Sequence, residues 1–202
     1  MQDSYVIFTG RPNAGKSSTI NALTGLKLPT GKRPGTTTDI NEYPIANGLV
    51  LADMPGYGTK LGASKGWEDM TKEKILDFIF NNRDSIVLCV HVLNITTFIE
   101  TTERLAKKGF VNLDVEMVNY IYDTVQEFPL VAANKIDKSS EQEVIENLEA
   151  FLEILSTVDP IISRNNVYPI SAKKGTGIGH LKDTFYRTLV SKGWRNPFEY
   201  IR

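Results

Sequence analysis

Residues 10–17 read Gly-Arg-Pro-Asn-Ala-Gly-Lys-Ser, and no other stretch of the 202-residue chain narrows the possible folds as far. Glycine, four residues, glycine, lysine, serine is the spacing of a loop that wraps phosphate. The context fits. Tyr5-Val6-Ile7-Phe8 ahead of it reads as a strand, and Ser18-Thr19-Ile20-Asn21-Ala22-Leu23 behind it reads as a helix opening. Gly10, Arg11, Pro12, Asn13, Ala14, Gly15, Lys16, Ser17 and Ser18 are therefore the expected phosphate cradle. Gly15 lets the backbone curl around an anion with no Cβ in the way. The loop N–H groups and those of the first helical turn would point at a β-phosphate. Lys16 would add a full charge towards the β/γ oxygens, and the Ser17 hydroxyl is a hard ligand for Mg²⁺.

Further strand-like runs recur at Leu49 to Ala52, Ile86 to Leu93, Leu130 to Ala133 and Val167 to Ile170. They are continuously apolar, as expected for strands buried on both faces. Ile40 to Ile45 alternates more, and Pro44 cannot donate to a ladder, which places this run at an edge. Between the runs lie helical stripes: Trp67, Met70, Lys74, Ile75, Phe78 and Ile79; Val115, Val118, Tyr122 and Val125; Val144, Leu148, Leu152 and Leu155; Ile178, Leu181, Phe185 and Leu189. Ser140 to Glu143 predicts a capping box for the third stripe, and Asp114 an N-cap for the second. Strands alternating with helices predict an α/β fold: a three-layer P-loop NTPase with a mostly parallel six-stranded sheet, one antiparallel edge strand and helices on both faces. One domain over residues 1–202 is expected from the length. Ligands of such sheets gather at the carboxyl ends of the strands.

Composition removes several function classes. With 41% hydrophobic and 23% charged residues the chain reads as soluble and globular. A net charge of -1 gives no global pull towards nucleic acid, so any RNA contact needs a local patch. The lone Cys89 lies in an apolar run and reads as a small buried hydrophobe, which fits a reducing cytoplasm. His91 and His180 are isolated, with no zinc spacing. No signal peptide is visible and no apolar run is long enough for a membrane span, so a cytoplasmic location is expected.

Four further pieces of a site fall after strand-like runs or in glycine-rich loops. Asp53-Met54-Pro55-Gly56 places a carboxylate at a strand end, where it can hold Mg²⁺ through water; Gly56 could bring its N–H close to a terminal phosphate. Asn134-Lys135-Ile136-Asp137 is the base reader. Guanine presents two donors on one edge, and the Asp137 carboxylate can accept both, whereas adenine would leave it unpaired. Asn134 would tie the loops together, and the Lys135 stem can lie over the ring. Ile170-Ser171-Ala172-Lys173 supplies a backbone N–H, that of Ala172, for the guanine carbonyl. In Pro34-Gly35-Thr36-Thr37-Thr38-Asp39 a threonine can swing its hydroxyl onto Mg²⁺ and its N–H onto a γ-phosphate; chemistry alone does not choose among the three.

These motifs, in this order and spacing, resemble the Era-like group of GTPases, and the resemblance runs to about Leu189. Asp53-Met54-Pro55-Gly56-Tyr57-Gly58 is similar to the switch of the EngB family, and Lys107 to Met117 resembles an insertion of its archaeal-type branch. The resemblance implies a Ras-like G domain with switch I over 26–40, switch II over 54–66, an insertion over 94–112 and a tail over 192–202. It implies GTP and GDP as ligands, Ser17, Thr37 and Asp53 around Mg²⁺, and Lys16, Thr37 and Gly56 as the catalytic group. Asn13 matches an asparagine that helps hold K⁺ in several Era-like proteins; a plain turn residue is the alternative. The resemblance also implies action in assembly of the large ribosomal subunit, with roles in cell division and septation; a monomer is expected.

Phosphoryl transfer needs positioning and charge neutralisation. The water-orienting glutamine is missing: Tyr57 stands after Gly56, so slow turnover is expected without potassium or a partner. A GTP-dependent interaction protein of the division machinery, with negligible turnover, is the competing reading. Lys60, Lys65, Lys72 and Lys74, with Lys27, Lys32 and Arg33, could form an RNA patch gated by nucleotide or could be ordinary solvated charges. The aromatic tail Trp194 to Tyr200 is expected to pack against the domain.

Overall fold

The structure, a computed structural model, describes residues 3–30, 39–58, 65–156 and 164–201, the side chains of 65–69 excepted. Six strands form one sheet: β1 (Ser4–Thr9), β2 (Asn41–Ala46), β3 (Leu49–Asp53), β4 (Ile86–Asn94), β5 (Leu130–Asn134) and β6 (Val167–Ile170). Their order is β2-β3-β1-β4-β5-β6. All neighbours are parallel except β2 and β3. The expected fold class is thus the observed one. Pro44 sits opposite Val50 on edge strand β2, beside a register irregularity, where its missing N–H costs no interior ladder bond.

Alternation along the strands explains why they read as unbroken apolar runs. Val6, Phe8, Leu88, Val90 and Val92 face one layer, while Ile7, Cys89 and Leu93 face the other, and both layers are buried and apolar. Helix α1 (Lys16–Thr24) and the last helix, α6 (Ile178–Ser191), cover the first face through Ile20, Leu23, Leu181, Phe185 and Leu189. Helices α2 (Lys65–Asn81), α4 (Leu113–Val125) and α5 (Glu141–Leu155) cover the second. Truncating Phe8 or Phe185, both fully buried, to alanine would cost about 3–5 kcal/mol. Burial also pushes the Cys89 thiol far above its ordinary range, as suits a packed hydrophobe.

The capping box at Ser140 and Glu143 is present with both reciprocal bonds. The α4 cap differs from expectation. Asn112 caps the helix, its side chain accepting the Asp114 N–H at 2.9 Å, so the chain enters the helix two positions earlier than Asp114 suggests. Met70 also departs from its expected stripe: it is 62% exposed, while Ile75 and Ile79 carry the packing of α2. The long excursion after β4 holds a 3₁₀ turn (Ile95–Thr97) and helix α3 (Phe98–Ala106). The tail packs as expected. Phe198 stacks on Phe185 with centroids 5.9 Å apart, and the Tyr200 N–H donates to the Ile45 carbonyl at 3.1 Å, covering the β2 edge. Among the described residues no helix is long and apolar enough to cross a membrane.

Candidate functional site

The loop between β1 and α1 runs from Gly10 to Gly15 at the carboxyl edge of the sheet. Gly15 takes φ +99°, and a Cβ there would meet Asn134 Nδ2 at 2.2 Å, so neither conformation nor space admits a side chain. The Thr19 N–H closes the first turn of α1 on the Gly15 carbonyl at 2.9 Å. This leaves the N–H groups of Lys16, Ser17 and Ser18 without intrahelical partners, and no side chain caps them. The result is an open nest of donors at a helix N-terminus. Asn13 has φ +63°, a left-handed conformation that asparagine tolerates, so backbone geometry alone accounts for the residue type.

Lys16 is only 7% exposed, and its ammonium pairs with the Asp53 carboxylate at the end of β3. Burial pulls the Lys16 pKa below the ordinary lysine value, and the Asp53 charge pushes back. Gly56 lies against the phosphate loop itself: a Cβ would stand 2.9 Å from Pro12 N. Glycine is needed there for this backbone approach, a reason distinct from room for a phosphate. Met54 and Ile170 are fully buried core side chains, and Ile136 packs against the core, so these three could reach a ligand only through backbone.

The motifs expected to read the base meet at the ends of β5 and β6. Asn134 Nδ2 donates to the Ala14 carbonyl at 2.8 Å, and its Oδ1 accepts the Ala172 N–H at 3.0 Å. One side chain thus ties the phosphate loop to both base loops. It also engages the N–H expected to meet a guanine carbonyl. Ser171 Oγ donates to Asp137 at 2.7 Å, and this bond first of all holds the Asp137 carboxyl below the usual carboxylate range. Lys135 adopts φ +74°, and burial lowers its pKa. Lys173 is exposed.

Other expected pieces are placed elsewhere. Asp39 is exposed and pairs with Lys74 at 3.3 Å, while Lys72 pairs with Glu116 at 3.2 Å; both lysines therefore look like paired surface charges rather than a free patch. Gly35, Thr36, Thr37 and Thr38 lie outside the described residues, as do Lys32, Arg33 and Lys60. Tyr57 is turned into the core beside Met54, Ile75 and Met117, with its hydroxyl buried and unpartnered.

Sequence reasoning missed a buried chain behind the loop. His91 Nδ1 lies 2.9 Å from Thr9 Oγ1, and its Nε2 lies 3.2 Å from Asp114 Oδ1. A carboxylate only accepts, so Nε2 carries the hydrogen facing Asp114. The other Asp114 oxygen faces the Arg11 guanidinium at 3.8 Å. The start of α4 is thereby linked to the phosphate loop, and a cavity of about 280 Å³ opens between them, lined in part by Arg11, Asn13, Asn112 and Lys135. The only sequence signal was the cap-forming pair Asn112 and Asp114, set two residues apart.

The sheet order, with its loops so placed, defines a class: a P-loop GTPase. The chain belongs to the EngB family of GTP-binding proteins. The family model described as "50S ribosome-binding GTPase" matches residues 5–135. A probable GTP-binding protein EngB of Archaeoglobus fulgidus is 32% identical over all of both chains. One from Pyrococcus horikoshii is 37% identical, covering 94% of this chain and 86% of its own length. A crystal structure of a probable GTP-binding protein engB superposes with a TM-score of 0.81 at 34% identity, covering 93% of this chain and all of that one. Aquifex aeolicus Era bound to GDP and aluminium fluoride, at 23% identity and a TM-score of 0.60, shares the fold; 92% of this chain and 56% of that one are covered.

Proposed function

We propose that this GTPase is a slow, Mg²⁺-dependent nucleotide switch acting in the cytoplasm as a monomer, in large ribosomal subunit assembly and in cell division and septation. The observation that carries the nucleotide part is the Asp137 carboxylate, held by the Ser171 hydroxyl in the same loop cluster in which Asn134 bridges to the phosphate loop. Asp137 accepts both guanine donors, and Lys135 covers the base.

The residues fit the groups they would hold. A carboxylate and hydroxyls are hard oxygen donors suited to Mg²⁺, and the described residues contain no cluster of three or more His, Cys, Asp or Glu that would favour another metal. Ser17, Thr37 and Asp53 would hold the ion, whose charge neutralises phosphate oxygens. The N–H groups of Lys16, Ser17 and Ser18 bind the β-phosphate, and Lys16 exchanges Asp53 for the β/γ oxygens. Thr36, Thr37 or Thr38 and the Gly56 N–H sense the γ-phosphate, so hydrolysis releases both switches. Were K⁺ used, the Asn13 side-chain oxygen would be its ligand, although the left-handed backbone already accounts for the residue type. With Tyr57 packed in the core, no side chain next to Gly56 orients water, which supports slow turnover. The ribosomal role is supported by the family description and the EngB relatives.

Calorimetry tests the base assignment. GTP should bind about 10³-fold or more tighter than ATP. Asp137→Asn should shift preference to xanthine nucleotides. Equal uptake of ATP and GTP by the wild-type chain would refute it.

A further inference from the structure

The large apolar side chains left outside the core are not equivalent. Phe80 lies under the Arg83 guanidinium, 4.8 Å from ring centre to carbon, and Tyr186 leans on Phe198 at 6.5 Å. Phe110 is 63% exposed with no ring or cation partner among the described residues, and Val111 beside it is 58% exposed. The cations divide in the same way. Lys72, Lys74 and Lys192 pair with Glu116, Asp39 and Glu127. Arg104, Lys107 and Lys108, just ahead of Phe110, form no ion pair among the described residues. The exposed Glu100 and Glu103 lie one turn and one residue before Arg104 and offset charge there, which leaves Lys107 and Lys108 as the cations beside Phe110.

The turn is built, not loose. The Lys108 and Phe110 N–H groups donate to the Leu105 carbonyl at 2.9 and 3.0 Å, and the Gly109 N–H donates to Ala106 at 2.9 Å, closing the end of α3. Asn112 follows directly, buried, donating to Thr102 Oγ1 at 2.8 Å while it caps α4. Phe110 is therefore displayed between two fixed helix ends, and little ordering remains for a partner to impose.

A protein hot spot would need a wider dry patch than two side chains. An unpartnered ring flanked by unpaired cations matches unstacked RNA, whose bases stack on aromatics while its phosphates attract cations. We propose that residues 107–111 contact a single-stranded segment of RNA, with Phe110 stacking on a base and Lys107 and Lys108 meeting flanking phosphates. As to which RNA, the proposal rests on the ribosomal reading above.

The test uses the full chain loaded with a non-hydrolysable GTP analogue and a fluorescein-labelled dodecauridylate read by anisotropy. Phe110→Ala should weaken binding about tenfold. Lys107→Glu with Lys108→Glu should weaken it further and flatten its salt dependence. GTP turnover without RNA should be unchanged in both. A benzophenone side chain at position 110, irradiated with purified large-subunit particles, should attach to ribosomal RNA. No oligonucleotide binding, equal binding by Phe110→Ala, or attachment only to a ribosomal protein would each overturn the proposal. If the chain fails to sediment with the particles, the ribosomal reading falls, and the oligonucleotide arm alone decides the turn.

Discussion

The two ends of the nucleotide site are finished to different degrees. At the base end the polar side chains are satisfied by protein: Asn134 bridges Ala14 and Ala172, Ser171 holds Asp137, and the Lys174 N–H returns to Ser171 Oγ at 3.1 Å. At the phosphate end the helix donors are open, and the buried Lys16 charge leans on Asp53. A base reader can be rigid because it meets the same guanine edge in GTP and GDP. A phosphate reader has to change partners, so its resting contacts must be ones a ligand can take over. On the proposed function, the difference separates a pre-built selectivity from a switching that exchanges charges.

The harshest way to probe this contrast is Lys16→Ala. Removing the charge should lower single-turnover hydrolysis by about 10²- to 10³-fold. It should also leave Asp53 buried without its cation, at a cost of about 3 kcal/mol to the nucleotide-free chain. Thermal unfolding without nucleotide should then fall by roughly 10 °C. An unchanged midpoint would mean that the Lys16–Asp53 pair holds nothing in the resting state, and the contrast between the two ends would be lost.

A smaller effect is expected from Asp114→Ala, which touches the phosphate end from behind. It removes the carboxylate facing Arg11 and the acceptor of His91 Nε2, leaving one N–H of a fully buried imidazole without a partner while Nδ1 keeps Thr9. Urea unfolding should show a loss of about 2 kcal/mol. GTP affinity should drop with it, because Arg11 belongs to the loop. The ratio of GTP to ATP affinity should stay intact. A changed ratio would show that the two ends are not separable.

What the sequence made legible follows the same division. The six strands and the loop positions could be read because buried parallel strands leave continuous apolar runs, and because loops at strand ends carry their chemistry in adjacent residues: Gly15-Lys16-Ser17, Asn134 to Asp137, Ser171-Ala172. The Ser140 cap was legible for the same local reason. Contacts made by tertiary packing were not. His91 and Asp114 are 23 residues apart, and nothing local says that β4 and the start of α4 face each other. Asp114 looked like a cap because aspartate caps helices, yet Asn112 claims that place and frees the carboxylate for Arg11 and His91. At Gly56 the sequence suggests a close N–H approach to a phosphate, and the packing against Pro12 adds a second reason for glycine that only the fold reveals. Met70 fitted a helical period, but period alone does not say where a stripe ends.

The mildest test works at the base end, through Ser171→Ala. The hydroxyl does not reach a ligand in this reading; it orients Asp137 and stabilises its ionised form. Its loss should weaken GTP and GDP equally, by about fivefold, the worth of one hydrogen bond of about 1 kcal/mol. The pH dependence separates positioning from damage. Asp137 is held below the ordinary carboxylate value, so its contribution is present at neutral pH and disappears only as pH falls through that lowered value. Without Ser171 the carboxyl returns towards its ordinary range. Nucleotide affinity in the variant should therefore begin to fall at a higher pH than in the wild-type chain when both are titrated downward from pH ~6. Superimposable acid limbs would show that something other than Ser171 lowers the Asp137 pKa, and the base end would then be less self-contained than its hydrogen bonds imply.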